Sequence, residues 1–153
     1  MPGLAAGLRA TVRVVVTSAD TAEAMGSGNL PVLATPRLLA LAEAATVAAV
    51  APQLADGLTT VGTAVSLEHR KASPLGAEIV VEAELTEVDG RRLVFGFIAR
   101  PAGADAEDTD AAGTDAGGTD VDGTDADVVV GAGTVERVVV DGARFLARAQ
   151  SSP

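Results

Sequence analysis

The chain has 153 residues, is 48% hydrophobic but only 2% aromatic, and carries a formal charge of −10. It contains no cysteine and one histidine, His69, which excludes disulfide frameworks, thiolate or multi-histidine metal sites and cysteine nucleophiles. The charge is local: residues 101–127 hold nine acids and no base, leaving twelve acids against eleven bases elsewhere, so nothing resembles the basic patch of a nucleic-acid binder.

The opening "MPGLAAGLRATVRV" lacks a basic stretch followed by a continuous apolar run. No leader is read there, and a cytoplasmic protein without a membrane partner is expected. "LRATVRVVVT" (8–17) is rich in β-branched residues and predicts a strand. "SADTAEAMGSG" predicts a short capped helix ending in glycines, followed by a loop, "SGNLPVLA". An apolar helix comes next, with Thr35 expected as its N-cap, Pro36 as its first residue and Pro52 as its stop.

Residues 38–51 of that helix are Leu, Ala and Val, interrupted only by Glu43 and Thr46. A helix apolar all round is normally buried. An unpaired charge there costs several kcal/mol or is neutralised, so Glu43 demands a partner or a purpose.

Past the helix the pattern becomes β. "TTVGTAVSLEHR" (59–70) alternates, which predicts Val61, Thr63, Val65, Leu67 and His69 on one face and Gly62, Ala64, Ser66 and Glu68 on the other. "AEIVVEAELTEVDGRRLVFGFIAR" predicts two strands about an Asp89-Gly90 turn. The acidic segment repeats "GTD" from Gly113, Gly118 and Gly123, with Val121 its only branched apolar residue. Its spacing fits neither an EF-hand loop nor a nonapeptide calcium repeat, so a disordered loop insertion is expected. "DVVVGAGTVERVVVD" (127–141) predicts a long strand and "GARFLARAQ" a terminal helix.

The order is strand, long apolar helix, then antiparallel strands. This is an α+β chain of one domain, 1–153, in which the sheet wraps around the helix: the hotdog arrangement.

Three polar side chains stand out. Thr35 places a hydroxyl at a helix N-terminus, where backbone N–H groups favour a developing oxyanion. Glu43 lies eight residues on, a little over two turns, and is read as lining the same side of the helix. His69 is the one side chain whose ordinary pKa suits proton transfer near neutrality. Each also has a bland reading: a plain cap, a paired surface charge, a structural strand histidine.

"VLATPRLLALAEAA", "TTVGTAVSLEHRKASPLGAEIVVEAELTEVDGRRLVF" and "GAGTVERVVVDGARFLARA" resemble the fluoroacetyl-CoA thioesterase family of hotdog proteins, over nearly all of the chain outside 101–127. The resemblance implies Thr35, Glu43 and His69 as the catalytic set, Gly62 as backbone near the acyl group, and Arg137 as a substrate-binding residue. It also implies a homodimer joined sheet edge to sheet edge, an acyl-CoA substrate, and no metal or other cofactor. One departure stands out: the family's fluoroacetyl selectivity is linked to aromatic residues in a lid, and the equivalent "GSGNLPVLA" has none. A broader or different short acyl-CoA substrate is therefore expected. The rival readings on this fold are a non-catalytic acyl-CoA or small-ligand binder and an acyl-CoA hydratase or dehydratase. The latter normally needs an Asp–His hydratase motif, which the sequence lacks.

Overall fold

The computed structural model describes residues 3–104 and 128–151. Its elements run β1 (Arg9–Val15), α1 (Ala22–Met25), α2 (Thr35–Val50), β2 (Leu58–His69), β3 (Glu78–Asp89), β4 (Arg92–Pro101), β5 (Gly131–Asp141) and α3 (Gly142–Ser151). The strands form one antiparallel sheet in the order β1-β3-β4-β5-β2. This is the α+β hotdog arrangement anticipated from the sequence.

The expected insertion at 101–127 falls outside the described residues from 105 onward. Its first residues are ordinary structure: Pro101 closes β4, and Ala102–Ala104 form a 3-10 turn. β4 and β5, which flank it, pair directly, with Ala99 opposite Gly131.

Alternation builds the core. Ile79, Val81, Ala83 and Leu85 of β3, and Leu93, Phe95, Phe97 and Ala99 of β4, are buried against α2. The helix answers with Leu38, Leu41, Ala42, Ala45 and Ala49 at i, i+3, i+4 spacing. Its alanines let the backbone lie close to the sheet, so few aromatic rings are needed to fill the gap. Each fully buried Leu, Val or Phe contributes about 1.5–3 kcal/mol relative to exposure.

Three expectations need correction. α2 is not buried all round: it packs mainly across β1 and β3, and Ala40, Ala44, Val47 and Ala48 stay exposed. Thr35 is not the N-cap. Ala34 occupies that position, with extended φ/ψ of −73° and 142°, and Thr35 is the first helical residue, followed by Pro36, which donates no N–H and so leaves none unpaired. The strict alternation in β2 also fails, because the register with β5 shifts between Gly62 and Ala64. Thr63 is the extra residue of a bulge, and a one-residue insertion exchanges the faces beyond it. Thr60 and Gly62 therefore share the helix-facing side with Leu67 and His69, while Val61 does not.

The hairpin is tighter than its sequence signal. Asp89 pairs with Arg92, so Gly90 and Arg91 make the turn, and Gly90 takes the φ of +62° that glycine tolerates.

Candidate active site

Thr35 owes its position to a clamp around Asp20. The buried Asp20 carboxylate accepts from the Thr17 backbone N–H at 2.8 Å, the Thr17 hydroxyl at 3.0 Å and Arg37 Nε at 2.8 Å. Its backbone carbonyl accepts from Ala34 N–H at 2.9 Å. One residue thus ties the end of β1 to the first turn of α2. The Thr17 N–H, with Arg37 assisting, holds the Asp20 carboxyl below its ordinary pKa against the opposing effect of burial.

His69 ends β2 opposite Gly131. A Cβ at Gly131 would stand 2.8 Å from Leu38 Cδ2 and 2.9 Å from the Glu68 carbonyl, so glycine is what lets strand and helix approach here. The result is a direct contact: Thr35 Oγ1 and His69 Nδ1 lie 2.8 Å apart. The other ring nitrogen, Nε2, is buried and has no hydrogen-bond partner among the described residues. Burial pushes the His69 pKa below its ordinary value, with the Lys71 backbone opposing, so the ring is neutral near pH 7 and able to take a proton.

An open cleft of about 240 Å³ runs beside this pair, lined by Ser27, Val32, Thr35, His69, Arg70 and Lys71 among others. Among the described residues, two cations and no acid line it. None of the three Phe side chains lines it either: Phe95 and Phe97 are buried in the sheet, and Phe145 sits on α3.

Glu43 has a different set of neighbours. Its side chain is 37% exposed, and Oε2 lies 3.2 Å from Nη1 of Arg137, whose side chain is 8% exposed. Arg137 also donates from Nε to the Thr60 hydroxyl at 2.8 Å and from Nη2 to the Thr60 carbonyl at 3.2 Å. Gly62 backs the carboxylate, and a Cβ there would lie 2.5 Å from Oε2. The charge in the apolar helix is thus answered by a buried guanidinium rather than by Arg37, which is held by Asp20.

The five residues anticipated from the sequence therefore form two groups, Thr35–His69 and Glu43–Arg137–Gly62. Among the described residues, no hydrogen bond or ion pair joins them. Thr35 and Glu43 do not share an azimuth: eight residues at about 100° each leave them roughly 80° apart. Thr60 escaped the sequence reading because "LTTVG" reads as plain strand. An arginine at an inward position of β5, between the buried Val135 and Val139, was the available signal that some acceptor must face it.

The family model described as fluoroacetyl-CoA-specific thioesterase matches residues 16–107. A fluoroacetyl-CoA thioesterase from Streptantibioticus cattleyicolor is 34% identical over 117 residues, covering 76% of this chain and 67% of that protein. A solved structure of the fluoroacetyl-CoA thioesterase superposes with a TM-score of 0.75 at 31% identity, covering 99% of each chain. A threonine-to-serine variant solved in complex with acetyl-CoA gives a TM-score of 0.75 at 29% identity, covering 98% of this chain and 100% of that one.

Proposed function

The chain belongs to the fluoroacetyl-CoA-specific thioesterase family, and on that premise we propose that Thr35, Glu43 and His69 carry the hydrolysis of a short-chain acyl-CoA. The protein is a thioester hydrolase: water adds to the thioester carbonyl, the C–S bond breaks, and the free acid and CoA leave. The observation that carries the assignment of residues is Glu43 itself, a part-exposed carboxylate and the one charge in the apolar stretch 38–51, braced by a buried arginine.

In this reading the carboxylate of Glu43 acts on the thioester carbonyl, either by direct attack or by removing a proton from the attacking water. Thr35, at the first turn of α2, donates to the developing oxyanion. With Glu43 as base, the proton it takes from water passes to the departing thiolate, and His69, neutral and bonded to Thr35, positions that water. With Glu43 as nucleophile, the thiolate leaves first and His69 takes the proton of the water that hydrolyses the acyl-enzyme. Arg70 and Lys71 at the cleft suit the phosphates of CoA. The absence of a Phe ring from the cleft favours a broader or different range of short acyl groups.

The active unit is a homodimer. β2 is an edge strand within the chain. On it Val65 is 47% exposed, and Val47 of α2 is 42% exposed, apolar side chains of the kind a second copy covers. Such pairing also gives the two polar groups a second way to meet, across the interface. No helix among the described residues is long and apolar enough to cross a membrane, and the cytoplasm is the proposed compartment. Thiol release from a panel of acyl-CoAs tests the activity, and light scattering on the eluting protein tests the dimer.

A further inference from the structure

β5 turns a base inward where its neighbours are apolar: Arg137 lies between the buried Val135 and Val139 and is itself 6% exposed. A guanidinium cannot shed its charge and presents its N–H groups in a rigid planar fork. Such a group is tolerated inside only where acceptors meet it. Thr60 supplies two, its hydroxyl to Nε at 2.8 Å and its carbonyl to Nη2 at 3.2 Å. Nε and Nη2 form one edge of the fork, so two contacts on that edge stop the plane from rotating about its stem. The remaining end, Nη1, then points in a fixed direction, and Glu43 Oε2 lies there at 3.2 Å. Gly62, two residues after Thr60, leaves the space in which that oxygen sits.

We propose that Thr60 is a positioning residue for the reaction: by clamping the Nε–Nη2 edge of Arg137, it fixes the guanidinium that orients the Glu43 carboxylate. The inference rests on the thioesterase reading and assigns Arg137 to bracing Glu43. The bulge at Thr63 is part of the device. It lets Thr60 and Gly62 face α2 without turning the distal Leu67 and His69 away from it.

The test compares Thr60→Val, which keeps the shape but loses the hydroxyl acceptor, with Thr60→Ser, which restores it. Thiol release from the best acyl-CoA substrate is measured for each, with thermal unfolding as the folding control. Thr60→Val is expected to lower kcat about tenfold or more with KM nearly unchanged, because a loosened catalytic group misaligns the reacting atoms. Thr60→Ser is expected to recover most of the rate. Adding Thr60→Val to Glu43→Gln is expected to cost nothing further, since the clamp acts through that carboxylate.

A wild-type kcat in folded Thr60→Val would overturn the proposal. So would a Thr60→Ser variant as slow as the valine, or a full additional loss in the Glu43→Gln background. If Thr60→Val does not fold, Arg137→Lys takes its place: it keeps the charge but loses the fork, and is expected to show the same loss in kcat, an unchanged rate again overturning the idea. A wild-type protein releasing no thiol from any acyl-CoA would instead sink the thioesterase reading beneath it.

Discussion

Thr35 Oγ1 and His69 Nδ1 stand 2.8 Å apart across thirty-four residues of sequence. The contact exists because α2 begins one residue earlier than its cap signal suggests. As the first helical residue rather than the cap, Thr35 has a hydroxyl free to face the end of β2. Replacing Thr35 with Val removes the hydroxyl and keeps the β-branched shape. Its kcat should fall at least about tenfold while the midpoint of thermal unfolding stays near wild type. A large loss of stability with an unchanged rate would return Thr35 to a purely structural role.

His69 sets the pH dependence. Burial depresses its pKa from the ordinary 6.5, so the acid limb of kcat/KM should have its midpoint below that value. The folded state binds this proton less readily than the unfolded one. Stability is therefore full above the unfolded pKa and declines as pH falls toward the depressed one. Unfolding in urea at about pH 7.5 and about pH 5 should show that loss, and His69→Gln should reduce it. An acid limb centred above 6.5 would count against His69 as the group that must be neutral.

Gly62→Ala tests the space behind Glu43. The added Cβ would lie 2.5 Å from Oε2 and 3.4 Å from Arg137 Nη1. The carboxylate is the far end of a flexible chain and can swing aside, so the fold should survive with only a small change in melting temperature. The ion pair should not, and kcat should drop by about one to two orders of magnitude. Wild-type turnover in this variant would mean that the carboxylate need not be held where it is.

Asp20→Asn addresses the clamp on α2. The amide keeps the size but weakens the bonds to Thr17 and Arg37, at an expected cost of about 1–3 kcal/mol. Asp20 has a folded pKa below its unfolded one. Its contribution is thus present above the unfolded value and lost as pH falls through the folded one. Chemical denaturation at neutral pH should show the deficit, and the difference from wild type should shrink in strong acid. A difference that persists unchanged at low pH would exclude the carboxylate as its source.

Much of this fold is written in local pattern. The apolar α2 segment, the Asp89-Gly90 signal and the β-branched strands each follow from side-chain physics acting over a few residues, and each element formed. What the sequence hid depends on register. Alternation placed Gly62 opposite His69, and a single extra residue at Thr63 reversed that. Glu43 was visible as a charge in the wrong place, but its partner lies ninety-four residues away, and only strand order brings β5 beneath α2. Thr60 carries no signature at all until Arg137 is seen beside it.

The most direct test of the central claim is thiol release from acetyl-, fluoroacetyl-, malonyl-, butyryl- and benzoyl-CoA by the wild type, Glu43→Gln and His69→Ala. Turnover of at least one short acyl-CoA by the wild type is expected, reduced about a hundredfold or more in both folded variants. Turnover that persists undiminished in Glu43→Gln, or none by the wild type while CoA esters still bind, would contradict it.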